Sequence, residues 1–497
     1  MQLSFPRRAL ALLIKIALAA LLLAFVLLLG RAFQARNQPE LALWHRLLLD
    51  NEVQARDIGK NYTWANYLQA EQRLFAEQSR KLARASIPGQ YRYQRDSRLG
   101  AASGQHDWNR SYQSVPKQIR GGVLLLHGLS DSPYSLRHVA ARYEQAGFVV
   151  IAPRLPGHGT VPAGLLDVRW QDWSAVVRLA ARELRLRVGP DKPLHVVGYS
   201  NGAALALDYA IEVAGSDVTD LPRFDRLILL SPMVGLGRGA ALARLLPVFG
   251  GLSYFEQSRW MDILPEFNPY KYNSFPINAA VQSYQLTTRV QARVLKLKAR
   301  TRLERLPPIL AFQSVLDNTV STTDVVHALF DQLPANGSEL VLFDLNRAHL
   351  LAPMLTPAAT GFADTLRSTA PRDYRLTVVS NTRPDTLAAS ERSYAAGSLQ
   401  AREQALGLSF PATVYSLSHV ALPFPMDDAL YGMEPRLDQD YGIRLGTLAL
   451  HGERGALVIK AEQLMRLNCN PFFPYLAARI EQQIAADQPG PASASGP

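Results

Sequence analysis

"HVVGYSNGAALALDYA", His195 to Ala210, sets how the rest of this chain is read. A serine stands between two glycines, after an apolar run and before a run of alanines and leucines. Leu194 to Val197 reads as a buried strand ending at Gly198, and Gly202, Ala203 and Ala204 open a helix. So abrupt a strand-to-helix turn forces Ser200 into a strained backbone conformation. The flanking glycines remove side chains that would clash there. The Ser200 hydroxyl then projects from the carboxyl end of the strands, where open α/β sheets bind ligands. The free N–H groups of the helix start favour a developing negative charge. A bare G-x-S-x-G arises by chance in roughly one chain in six of this length. The strand before it and the helix after it make Ser200 a candidate nucleophile rather than a turn residue.

Upstream, "GGVLLLHGLSD" places His127 and Gly128 at the end of an earlier strand. A residue as small as Gly128 lets the backbone fold back toward the elbow. The Leu129 and Asn201 N–H groups then form a candidate oxyanion hole. Strands alternate with helices from "GGVLLL" through "FDRLILLSP", which means a parallel sheet covered on both faces. After Pro232 the alternation stops. Residues 233 to about 306 read as a helical cap, and alternation resumes at "PPILAFQSVLDNTVS" and "SELVLFDLNR". A second irregular insertion is expected over about 355–410. The expected organisation is therefore a membrane anchor in 1–30, a helical extension without recognisable chemistry over 31–118, a sheet domain over 119–484, and a disordered tail over 485–497.

The composition, 48% apolar and 19% charged over 497 residues, is globular. The net charge of +11 comes mostly from dispersed arginines such as Arg178, Arg182, Arg185 and Arg187. No basic block is interleaved with aromatics, which argues against a nucleic-acid partner. A basic surface suits an anionic bilayer. One cysteine, Cys469, excludes an intrachain disulfide and any multi-cysteine metal site. Ala9 to Gly30, "ALALLIKIALAALLLAFVLLLG", is long enough to span a bilayer, with Lys15 placed to snorkel. Arg7 and Arg8 keep the N-terminus cytoplasmic. The following "LLLGRAFQAR" lacks a small-x-small cleavage site, favouring an uncleaved anchor over a signal peptide. The expected location is a bacterial inner membrane, single-pass, with the sheet domain on the periplasmic side.

From about 120 to 330, "LLHGLSDSPYSLR", "PRLPGHGT", "WQDWSAVV", "VVGYSNGAALAL", "LLSP" and "FQSVLDNTVS" follow in order. This series resembles the α/β-hydrolase superfamily, in the branch of monoacylglycerol lipases, lysophospholipases and serine aminopeptidases. "LSHVALPFPMDDALYG" resembles a bacterial subgroup of it. The resemblance implies an α/β fold with an eight-stranded, mostly parallel sheet and a Ser-Asp-His triad in that chain order. It also implies that neither cofactor nor metal is needed and that the N-terminal extension lies outside the shared fold. It is silent on oligomeric state.

Asp317 sits just past a strand, where the fold carries its acid; the runner-up, Asp324, falls within the next helix. Four histidines follow Asp317: His327, His349, His419 and His451. His327 lies inside a helix and His451 follows a late strand. His349 has the spacing of compact relatives, 32 residues after Asp317, but "AHLLAP" runs on as apolar sequence. His419 ends the strand-like "ATVYSLS", with Ser416 and Ser418 before it and two prolines after it. His419 is the expected base. Its distance from Asp317 in sequence requires the 355–410 insertion to loop away from the sheet and return, which costs only logarithmically with length.

The expected activity is a serine hydrolase of carboxylic, lipid-like acyl esters, acting through Ser200, Asp317 and His419 and an acyl-enzyme. Amide or peptide hydrolysis by the same triad, or a non-catalytic envelope scaffold, are the alternatives. His158 is expected to order its loop, Trp170 and Trp173 to pack, and Asp344 to pair with Arg347. Phe249, Tyr254, Phe255 and Trp260 line an acyl pocket or form the cap's own core.

Overall fold

Strand β2 (Gly121–Leu126) has no polar side chain and is buried along its whole length. β3 (Phe148–Ala152), β4 (Leu194–Tyr199), β8 (Ile309–Ser314) and β9 (Glu339–Phe343) are likewise buried along their whole length, while β5 (Arg226–Leu230) is buried past its first residue. Such runs belong in a parallel sheet covered on both faces. The computed structural model describes residues 39–83, 92–93, 106–217, 220–235, 253–348, 351–357, 359–361, 371–448 and 465–487, together with 11–19, 21–22, 25–26 and 30. Adding β1 (Tyr112–Ser114), β10 (Arg375–Asn381), β11 (Ala388–Tyr394) and β12 (Ala401–Ser409) gives one ten-stranded sheet, ordered β1-β3-β2-β4-β5-β8-β9-β10-β11-β12. From β3 to β10 all pairs are parallel; β1, β11 and β12 join antiparallel, with β1 and β12 at the two edges. A separate ribbon joins β6 (Trp260–Asp262) to β7 (Phe275–Pro276).

Helices cover both faces. On one lie α1 (Trp64–Ala83), α3 (Trp170–Val188), α4 (Asn201–Gly215) and α5 (Ile277–Ala299), whose Tyr67, Trp173, Leu205 and Val290 share a core with Leu124 and Val196 of the sheet. On the other lie α2 (Arg137–Gln145) and α6 (Phe473–Asp487), where Tyr143, Leu476 and Ile480 meet Val123 and Val197. Each such fully buried aliphatic contributes about 2 kcal/mol.

Several sequence expectations change. The sheet has ten strands, not eight, because the supposed 355–410 insertion supplies β10, β11 and β12 instead of looping away. β12 exposes most residues on both faces, so it lacks the alternation by which a half-buried strand is read. The extension over 31–118 is not outside the fold: β1 pairs with β3, and α1 packs against the core. Of the expected cap over 233–306, α5 is a core layer against α4, and residues 236–252 lie outside the described set. Among the described residues no helix is long and apolar enough to cross a membrane. Residues 11–19 are helical with Leu12, Ile16 and Leu18 exposed, while much of 1–30 lies outside the described residues. Residues 485–487 of the expected tail belong instead to α6, which runs to Asp487, and 488–497 are outside the described residues.

Candidate active site

Ser200 is the last residue before α4, with φ 55 and ψ −113, a region that costs a residue with a side chain on the order of 1–3 kcal/mol. The surroundings hold it there. Its N–H donates to the Leu230 carbonyl at 2.9 Å, and its carbonyl accepts from Ala203 at 3.0 Å and Met233 at 3.3 Å. The two glycines are sterically required. A Cβ on Gly202 would lie 1.9 Å from the Leu126 carbonyl oxygen, and one on Gly198 2.5 Å from the Ala203 Cα. The elbow therefore docks directly on the end of β2.

His419 opens a short turn of helix and is buried. Its Nε2 lies 2.9 Å from Ser200 Oγ and its Nδ1 2.8 Å from Asp317 Oδ2. Asp317 Oδ1 accepts from the Thr319 and Val320 N–H groups at 2.8 and 2.9 Å, and Oδ2 also accepts from Gln313 Nε2 at 3.2 Å. Burial alone would raise the Asp317 carboxyl, but the His419 charge and these donors outweigh it and hold it below the usual carboxylate range. Nδ1–H donating to an ionised carboxylate leaves Nε2 free to accept the serine proton, the tautomer a general base needs.

Gly128 approaches Ser200 closely: a Cβ there would lie 3.5 Å from Ser200 Cβ. Among the described residues, the Leu129 and Asn201 N–H groups have no acceptor, so both remain available to a ligand. The loop is held by His127. Its Nδ1 donates to the Gly128 carbonyl at 2.9 Å, and its Nε2 accepts from Leu155 N–H at 3.0 Å. Burial, then the neighbouring His158, push the His127 imidazole well below its usual range, so it stays neutral.

Sequence positions 123–429 match the alpha/beta hydrolase family. The chain belongs to that family. An 86-residue stretch is 38% identical to the thermostable monoacylglycerol lipase of Bacillus sp. (strain H-257), covering 17% of this chain and 33% of the lipase. The match thus spans about a third of that relative's length. Among solved structures, a chain from the metagenome-derived lipolytic enzymes LipS and LipT is 23% identical over 48% of this chain and 88% of its own, with a TM-score of 0.38. The monoacylglycerol lipase of Paleococcus ferrophilus is 18% identical over 47% and 88%, with a TM-score of 0.35.

Within this alpha/beta hydrolase the other singled-out residues fall as follows. His349 and His451 lie outside the described residues, and His327 is exposed beside Asp331. His158 is buried with Nδ1 3.0 Å from the Pro156 carbonyl, and Trp173 Nε1 donates to that carbonyl at 3.0 Å. Trp170 is half-buried beneath the Arg289 guanidinium. Arg347 pairs with Asp344 at 3.0 Å. Trp260 packs edge-on against His45 and in a cluster with Leu41 and Trp44 of the extension, and the side chains of Phe249, Tyr254 and Phe255 are outside the described set.

Sequence reading missed the groups that brace the site. Gln313 stands four residues before Asp317 at the end of β8, a spacing that offered a signal. Ser314 Oγ donates to the Leu417 carbonyl at 2.7 Å, and Asn346 Nδ2 to the Val414 carbonyl at 2.9 Å. Glu52 and Glu71, in the extension, bind the fully buried Arg154 at 2.8 and 3.2 Å. Nothing in their local sequence marks them.

Proposed function

We propose that this chain is a serine hydrolase of carboxylic esters, with lipid-like acyl esters as substrates. The observation that carries the reading is His419 bridging Ser200 and Asp317 in a single buried line. Ser200 Oγ attacks the acyl carbonyl while His419 Nε2 takes its proton. The Leu129 and Asn201 N–H groups receive the negative charge on the carbonyl oxygen. Collapse expels the alcohol, which leaves with the proton from His419. Water, activated by the same imidazole, then cleaves the acyl-enzyme and restores Ser200. Asp317 holds the imidazole tautomer and stabilises its cation. The similarity to a named monoacylglycerol lipase supports a lipid-like substrate.

The apolar stretch over residues 9–30, preceded by Arg7 and Arg8, supports an exported protein tethered to a bacterial inner membrane with this domain on the periplasmic side. C-terminal fusions test it. An active alkaline phosphatase fusion is expected, and a fluorescent GFP fusion beside an inactive phosphatase would reverse the orientation.

A fluorophosphonate probe should label the wild-type protein at Ser200, and p-nitrophenyl esters should be turned over faster than aminoacyl amides. Absence of labelling in folded protein would overturn the enzyme reading. Faster amide cleavage would make it a peptidase.

A further inference from the structure

Gln313 is wholly buried at the end of β8, and both amide protons have a fixed destination. Nε2 donates to Asp317 Oδ2 at 3.2 Å and to Thr322 Oγ1 at 3.0 Å. Neither partner leaves the direction of its bond open. An ionised carboxylate only accepts, and the single Thr322 hydroxyl proton goes to the Ser314 carbonyl at 2.9 Å. The amide is therefore held nitrogen-first against the acid. Its Oε1 is buried and has no donor among the described residues. An unmet buried acceptor destabilises a fold, so packing alone does not account for a glutamine here.

An ionised carboxylate has room for about four donors, two on each oxygen. Asp317 fills them all. Oδ1 takes the Thr319 and Val320 N–H groups, and Oδ2 takes His419 Nδ1 and Gln313 Nε2. Gln313 thus shares with His419 the one oxygen that faces the imidazole. Other charged or titratable side chains packed around the line leave that oxygen alone. The Tyr199 ring of β4 lies 5.5 Å from the His419 ring, centroid to centroid. The Arg466 guanidinium donates to Thr319 Oγ1 at 2.8 Å. Asp324 faces Gly235, where a Cβ would meet its Oδ2 at 1.9 Å. Among the described residues, only His419 and Gln313 bond to Asp317 Oδ2.

We infer that Gln313 is a positioning residue that sets how strong a base His419 is, by taking part of the Asp317 charge for itself. This rests on the ester-hydrolase reading. With the amide in place, the charge on Oδ2 is divided between two donors. Without it, that charge falls on Nδ1–H alone, which favours the imidazolium and keeps His419 protonated to higher pH. The carboxylate also loses the hold that opposes its rotation away from the imidazole.

The test is the pH profile of kcat/KM for p-nitrophenyl butyrate in the full-length protein, taken between about pH 5 and 9. This substrate does not ionise there, so the acid limb reports the free enzyme. Gln313→Met keeps the length of the side chain and removes both donors. Its acid limb should move up by about half a unit to one unit, and its plateau kcat should fall about tenfold with KM within about twofold. Gln313→Glu keeps the shape. Two neighbouring carboxyls share one proton, so the protonated variant still donates to Oδ2. Its acid limb should stay near that of the wild type, and its activity should be lost as pH rises and the second carboxyl ionises. A merely structural glutamine would lower Tm and kcat and leave the acid limb in place, so an unmoved limb in Gln313→Met overturns the inference. If that variant does not fold, Gln313→Glu decides: loss on the alkaline side supports the inference, and a wild-type profile throughout overturns it. A wild-type protein that neither hydrolyses the ester nor takes up a fluorophosphonate removes the hydrolase reading and this inference with it. Hydrolysis that depends on Ser200, with the acid limb unmoved in Gln313→Met, removes only the inference.

Discussion

Asn346 Nδ2 donates to the Val414 carbonyl at 2.9 Å, across 68 residues of chain, and ties the end of β9 to the loop that delivers His419. The Asn346 N–H donates to the neighbouring Tyr415 carbonyl at 2.8 Å, and its Oδ1 accepts from Asn381 Nδ2 at 3.0 Å. The side chain is wholly buried. Asn346 thus braces the loop of the proposed base without touching His419. Asn346→Ala should lower kcat about tenfold or more with little change in KM, because a displaced imidazole weakens proton transfer and not substrate binding. Stability should fall by about 1–3 kcal/mol, since two buried partners lose their mate. Steady-state kinetics with denaturant unfolding checks both. Unchanged kcat in a destabilised but folded variant would leave Asn346 a purely structural residue.

Ser200→Ala should abolish fluorophosphonate labelling and lower kcat by about a millionfold, the loss typical of a triad nucleophile. His419→Ala should lose at least about three orders of magnitude, and His349→Ala should stay within about tenfold. Circular dichroism and Tm should show all three variants folded. The reverse order of the two histidine variants would hand the base to His349.

Asp131 gives a pH signature separate from catalysis. Burial pushes its carboxyl up to about 6, against the pull of Lys271, from an ordinary value of 3.8. Between those values the folded state holds more protons than the unfolded state. Stability from this group is therefore full below about 4, falls as pH rises toward about 6, and is flat above. Asp131→Asn keeps an acceptor for the Ser132 N–H and removes the charge. It should stabilise the protein at pH 7.5 by up to about 3 kcal/mol and much less at pH 4. A Tm gain that is equal at both values would refute the assignment.

The centre of the sheet and the elbow were legible in sequence because both are local. Leu194 to Ala204 states its strand, its turn and its helix within a dozen residues, and the clash distances at Gly198 and Gly202 explain why no other residue serves there. Asp317 and His419 were legible by chain order and by the residues beside them. The edges were not. β11 and β12 carry polar residues where a core strand would alternate, so they read as an irregular insertion. The bracing groups were hidden for another reason. Asn346, Asn381, Glu52 and Glu71 act through partners many residues away, and a buried polar residue looks like a surface one until its partner is known.

The N-terminal extension supplies the strongest case of such action at a distance. Arg154 follows β3 and is fully buried, so its charge must be met from within the protein. Glu52 meets it twice, at 2.8 and 3.1 Å, and Glu71 once at 3.2 Å; both carboxylates belong to the extension. Glu52 Oε2 also accepts from the Gly157 N–H at 2.9 Å, and the Arg154 guanidinium donates to the His158 carbonyl at 3.0 Å. The loop so ordered presents Leu155 N–H to His127, whose other nitrogen holds the Gly128 carbonyl of the oxyanion turn. Glu52→Gln should therefore act on two levels. It weakens the neutralisation of a buried cation, and stability should fall by roughly 1–3 kcal/mol, less than the loss of an unassisted pair because Glu71 remains. It also loosens the loop behind the oxyanion turn, and kcat should fall severalfold with KM nearly unchanged, since oxyanion contacts strengthen only in the transition state. Glu52→Gln/Glu71→Gln should lose more than the sum of the single variants, because either carboxylate alone partly covers for the other. Additive losses in stability with wild-type kcat in both single variants would mean that the extension clamps the fold without reaching the site.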